Sequence, residues 1–118
     1  MLSLPAKVRV FLCTRATDMR KSFDGLHGLV LEVLRQDPQS GDLFVFLNRR
    51  RDRVKALLWE GDGFSIWYKR LESGTFQFPD AASEAQGIEL NYSQLTRILG
   101  GLDLRNGRRR RRRYRRVG

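Results

Sequence analysis

Residues 43–78 fix more of the fold than any other stretch. Leu43 to Leu47, LFVFL, is continuously apolar and too short for a helix, so it reads as a strand covered on both faces. Val54, Ala56 and Leu58 then alternate with Lys55, Leu57 and Trp59. Phe64, Ile66 and Tyr68 alternate with Ser65, Trp67 and Lys69. Between these runs lie a basic turn at 48–53, the glycine-flanked EGDG and the turn ESGT. Asp-Gly permits the positive φ of a hairpin. Phe76 and Phe78 end a short strand before Pro79. Three hairpin signals in succession predict an antiparallel meander.

The flanks add helices. Val8, Val10 and Leu12 alternate with Lys7, Arg9 and Phe11, a strand pattern. Thr17 or Asp18 is placed to cap the next element. Met19, Phe23, Leu26, Val30 and Val33 then form one helical stripe, predicting a helix from Met19 to about Leu34 or Arg35, ended by the Pro38 segment. Gly25 and Gly28 lie inside it, a pattern that suggests close packing there. Asn91 with Gln94 has capping-box spacing, and Leu95, Ile98, Leu99 and Leu102 form a second stripe. The fold class expected is α+β: an antiparallel β-meander with a long N-terminal helix and a short C-terminal helix packed on one face. One domain over residues 1–104 is expected, followed by a disordered Arg-rich tail over 105–118.

Charge divides along the same boundary. The 118-residue chain has a formal net charge of +10, but residues 105–118 contain nine arginines and no acid. Removing those nine from 23 basic residues leaves 14 against 13 acidic ones, a net of +1 for the body. A run of like charge cannot pack and needs an anion to neutralise it. Arg108, Arg109, Arg110, Arg111, Arg112, Arg113, Arg115 and Arg116 are therefore candidate phosphate contacts, with Tyr114 available to stack on a base. The bland alternative is a solvated terminus.

Within the near-neutral body, Arg49, Arg50, Arg51, Arg53 and Lys55 make a second basic cluster around Asp52. On a hairpin tip they are candidate nucleic-acid contacts, since β-ribbons do enter DNA grooves. Equally, they suit a solvated tip that guards a strand edge. Arg20 and Lys21, at a helix start where cations oppose the dipole, are candidate partner contacts. Trp59 and Trp67 are candidates for an exposed aromatic surface, with core packing as the alternative.

Catalytic chemistry finds no support. Cys13 and His27 are the sole residues of their types and form no ligand set. Asp52 and Asp62 stand at opposite ends of one strand, too far apart for a two-metal site. No cofactor is expected. No apolar stretch nears the ~20 residues of a membrane span, and the N-terminus lacks a signal-peptide core. A cytoplasmic, non-enzymatic protein is expected.

The residues TDMRKSFDGLHGLV, followed by SGDLFVFLNRRRDRVKALLWEGDGFSIWYKRLESGTFQFP, resemble the accessory protein encoded by the second open reading frame of the insertion-sequence-66 family, often called TnpB. The similarity spans about Leu4 to Leu104. It is strongest at Asp18-Met19-Arg20-Lys21 with Gly25-Leu26, over 44–55 and over 61–71. This resemblance implies a bacterial transposition accessory factor that works beside a separate transposase. DNA, through phosphates, and that transposase are the expected partners, with a second copy of the chain as another candidate. An interaction module that dimerises or docks on the transposase without touching DNA is the alternative.

Overall fold

The computed structural model describes residues 7–77 and 86–99. Five strands and two helices follow the order β1 (Val10–Cys13), α1 (Phe23–Glu32), β2 (Leu43–Leu47), β3 (Arg53–Trp59), β4 (Phe64–Arg70), β5 (Gly87–Leu90) and α2 (Tyr92–Ile98). They build a single sheet with strand order β4-β3-β2-β1-β5.

The meander is present as β2-β3-β4, with both pairings antiparallel. It is only part of a mixed sheet. β1 runs parallel to β2, pairing Val10 with Leu43 and Cys13 with Phe46. A parallel pair needs a crossover, and the segment containing α1 provides it. β5 closes the other edge antiparallel to β1. The start of the parallel pair is fastened by Asp42, which is buried. Its carboxylate accepts from the Arg9 amide at 3.1 Å and the Arg9 guanidinium at 3.2 Å.

The predicted architecture is corrected at three further points. The first helix is short, Phe23–Glu32, rather than a long one from Met19. Asp18 does not cap it. Its side chain instead accepts the Arg20 amide at 2.9 Å and its carbonyl accepts from Lys21, which folds residues 18–21 into a turn ahead of the helix. At the other end Arg35 takes φ +55° and turns the chain out of helical geometry. The strand expected at Phe76 and Phe78 does not form over the described residues. Phe76 is instead a buried plug whose amide donates to the Arg51 carbonyl at 2.7 Å. Phe78 lies outside the described residues.

Nor do the helices share a face. Sheet register separates two sets of side chains. Val10, Leu12, Leu43, Val45, Leu47, Val54 and Ala56 pack with Leu95 and Ile98 of α2. Phe11, Cys13, Phe44, Phe46 and Leu57 pack with Leu26 and Val30 of α1. Each apolar face of the sheet thus has its own helix. That explains why all five residues of β2 are buried. Burying a side chain such as Leu or Phe contributes about 1.5–3 kcal/mol, so both faces matter. The capping box on α2 is formed as expected: Gln94 donates its amide to Asn91 and returns its side-chain oxygen to the Asn91 amide. Of the two helical glycines, Gly25 is closely approached, an added Cβ meeting the Lys21 side chain at 3.0 Å, whereas Gly28 faces open space; the tightest approach is at Gly87, where an added Cβ would meet Leu34.

Candidate nucleic-acid interface

The carboxyl ends of β1 and β2 point the same way, and both strands lead into loops there. Ligands of open α/β sheets settle at such ends. Here the two loops form the walls of a groove of about 630 Å³. One wall is Ala16, Thr17, Asp18, Met19 and Arg20; the other is Asn48, Arg49, Arg50, Asp52 and Arg53. The Thr17 amide donates to the Leu47 carbonyl at 2.8 Å, which joins the walls at their base.

Asn48 shapes the second wall. Its side-chain oxygen accepts from the amides of Asp52 and Arg53, both at 3.0 Å, and its amide donates to the Asp52 carboxylate at 2.6 Å. The Arg51 amide closes the turn onto the Asn48 carbonyl at 3.1 Å, with Arg51 itself at φ +60°. These contacts let four consecutive charged residues hold one conformation. The Asn48 hydrogen bond lowers the Asp52 carboxyl below its usual range. Asn is a turn residue because its side chain mimics backbone acceptors, a sequence signal that the arginines beside it overshadow.

The groove's acids are already engaged. The Arg20 guanidinium grips Asp18 through Nη2 at 2.7 Å and Nε at 3.0 Å, and this holds the Asp18 carboxyl at about 2. The same bond raises Arg20. Arg20 thus faces the groove already paired. Arg53 donates to the Tyr68 hydroxyl at 3.4 Å. Arg49 and Arg50 are exposed and have no hydrogen bond or ion pair among the described residues.

The remaining predicted contacts scatter. Arg51 does not line the groove. Lys55 is 8% exposed, and its ammonium donates to the Lys21 carbonyl at 2.8 Å and lies 4.8 Å from the Tyr68 ring centre. It is an internal brace, unlike the phosphate contact expected, because the lead-in to α1 covers its face of β3. Lys21 is exposed and contributes its backbone to that brace. Trp59 and Trp67 do not make a joint surface. β3–β4 register pairs Trp59 with Phe64 and Trp67 with Ala56, which puts the two indoles on opposite faces. Trp59 packs edge-on to Phe64 at 4.9 Å, and Trp67 packs on the α2-side core. The arginines from 108 to 116 lie outside the described residues.

Among the described residues, no three His, Cys, Asp or Glu side chains converge as metal ligands. Cys13 is buried, and burial pushes its thiol up. No helix among them is long and apolar enough to cross a membrane.

Residues 8–109 match the family model described as "IS66 Orf2 like protein", a span that takes in both walls of the groove. The chain belongs to the IS66 Orf2-like family. Two similar proteins come from Sinorhizobium fredii (strain NBRC 101917 / NGR234). The uncharacterized protein y4hO is 39% identical over 106 residues, covering 90% of each chain. The uncharacterized protein y4jC is 35% identical over 96 residues, covering 81% of this chain and 80% of its own. No solved structure matches this IS66 Orf2-like chain.

Proposed function

We propose that this IS66 Orf2-like protein is a non-catalytic, cytoplasmic accessory factor in transposition that contacts DNA phosphates through Arg49 and Arg50. Family membership implies the accessory role. The phosphate contact rests on one observation: two exposed arginines, without hydrogen bonds or ion pairs among the described residues, stand on a turn held by Asn48, at the rim of a groove. Guanidinium forks suit phosphate oxygens, and a fixed turn loses little freedom on binding. The 105–118 segment would add a sequence-independent contribution of the same kind. An acidic segment of the transposase would suit the same arginines.

DNA titrations over a range of salt test this. They need the full chain, a chain ending at residue 104, and Arg49→Ala/Arg50→Ala in each. Each phosphate contact removed flattens the log–log salt slope by roughly 0.9. The double variant should lose about two such increments in both backgrounds. Unchanged affinity and slope in the shortened chain would remove the groove from DNA binding. Co-purification with transposase, compared between the same variants, then shows whether that protein is the partner.

A further inference from the structure

We infer that the chain forms a two-fold dimer by antiparallel pairing of β4 with β4 of a second copy. The inference is independent of DNA binding. β4 ends the sheet, and nothing among the described residues pairs with its outer side. An edge of this kind is a template for another strand.

The hydrogen-bonding phase of β4 is fixed. Leu71 donates its amide to Asp52, and Glu60 donates to Gly63. Carried along the observed register, these bonds turn the backbone groups of Ser65, Trp67 and Lys69 toward β3. The groups of Phe64, Ile66, Tyr68 and Arg70 therefore face outward. A two-fold axis at Trp67 pairs Phe64 with the second copy's Arg70 and Ile66 with its Tyr68. Every outward amide and carbonyl of the strand then finds a partner. Shifting the axis to Ile66 or Tyr68 leaves part of the edge unpaired.

Charge selects the same occupant. The basic residues of β4, Lys69 and Arg70, sit at one end, where Arg70 also pairs with Glu72 at 3.3 Å, leaving that end net positive. Glu60 and Asp62 sit on the hairpin at the other end, and Glu60 accepts from the Ser65 hydroxyl. In the dimer, Ser65 lies directly opposite the second copy's Lys69 on the same face, which sets the basic end of one β4 beside the acidic Glu60–Asp62 hairpin of the other. Opposite charges across a strand pair stabilise it, and like charges oppose it. A parallel approach would set the basic ends together. Tyr68, 48% exposed in the single chain, would be covered by the second copy's Ile66. The result is one continuous sheet with the two grooves at opposite ends.

Two measurements on the full chain decide this, both in raised salt to suppress association through the basic tail. Sedimentation at rising protein concentration should show a monomer–dimer equilibrium. Tyr68→Pro, which deletes an outward amide at an edge position that tolerates proline, should stay monomeric with an unchanged circular-dichroism spectrum. Separately, Ser65→Cys and Lys69→Cys chains are oxidised alone and mixed. Directly opposed, non-hydrogen-bonded residues have Cα atoms about 4.5 Å apart, within disulfide reach. An interchain disulfide should form in the mixture and in neither chain alone. A monomer at all concentrations overturns the inference, as does a mixture that crosslinks no better than its components. The cysteine result stands even where the proline variant fails to fold.

Discussion

The Lys55 ammonium donates to the Lys21 carbonyl at 2.8 Å, tying the middle of β3 to the segment that enters α1. A basic residue in a basic cluster is here part of the interior. Replacing it with Met keeps most of the packing and leaves a carbonyl without its donor. Hydrogen bonds to charged groups contribute about 1.5–3 kcal/mol, so Lys55→Met should lose about that much in urea unfolding. Its DNA-binding salt slope should equal that of the unsubstituted chain. A flatter slope with unchanged stability would make Lys55 a phosphate contact instead.

Asn48 carries the conformation of the turn that displays Arg49 and Arg50. Its side chain serves two amides and one carboxylate at once. Asn48→Ala removes all three, and a lost hydrogen bond of this kind costs about 0.5–1.5 kcal/mol, more where a buried group is left unsatisfied. Asn48→Asp should be worse at neutral pH, because a second carboxylate then faces Asp52. Acidification should recover part of that loss, since protonating either carboxyl removes the repulsion. Unfolding titrations of the two variants at neutral and mildly acid pH check the order and its reversal.

Asp18 gives a pH signature. The Arg20 fork holds its carboxyl at about 2, below the ordinary 3.8. A folded-state value below the unfolded one contributes stability that is fully present above about 4 and is lost as pH falls toward about 2. The carboxyl is solvent-exposed, so the effect on stability is small; the midpoint itself is the observable. Carbon-detected NMR titration should place it near 2, and Arg20→Gln should return it toward 3.8. Asp18→Asn should leave Arg20 unpaired in the groove. If DNA phosphates come there, the salt slope of that variant steepens by roughly 0.9.

The sequence carried local structure well and pairing poorly. Alternation from Val54 to Trp59, the covered run at Leu43–Leu47 and the Asn91–Gln94 capping box each depend on neighbours in the chain, and each is present. That β1 lies beside β2 in parallel depends on a contact more than thirty positions away, as the Leu43–Arg9 hydrogen bond shows, and no local periodicity encodes it. The helix starts at Phe23, later than the apolar stripe predicts: Met19 fits the stripe, whereas Asp18 spends its side chain on a turn. The opposite faces of Trp59 and Trp67 were within reach: a four-residue hairpin loop at 60–63 pairs 59 with 64 and so 56 with 67. At the groove, the arginines were visible as a cluster, but their sorting was not. Burial of Lys55 and the fork between Arg20 and Asp18 depend on where α1 and its lead-in fold back.

The two-faced sheet makes a prediction about additivity. Leu26 on α1 and Ile98 on α2 are both fully buried, yet they belong to separate apolar clusters with the sheet between them. Leu26→Ala should cost about 2–5 kcal/mol and Ile98→Val about 0.5–1.5 kcal/mol. Sites with no shared contacts add to within about 0.3–0.5 kcal/mol, so the double variant should match the sum. Leu26→Ala with Phe44→Leu, both within the α1-side cluster, should depart from additivity because the two share one cavity. Equilibrium unfolding of the five variants tests this. Equal coupling in both pairs would mean the helices share one core, as a sheet with a single covered face would require.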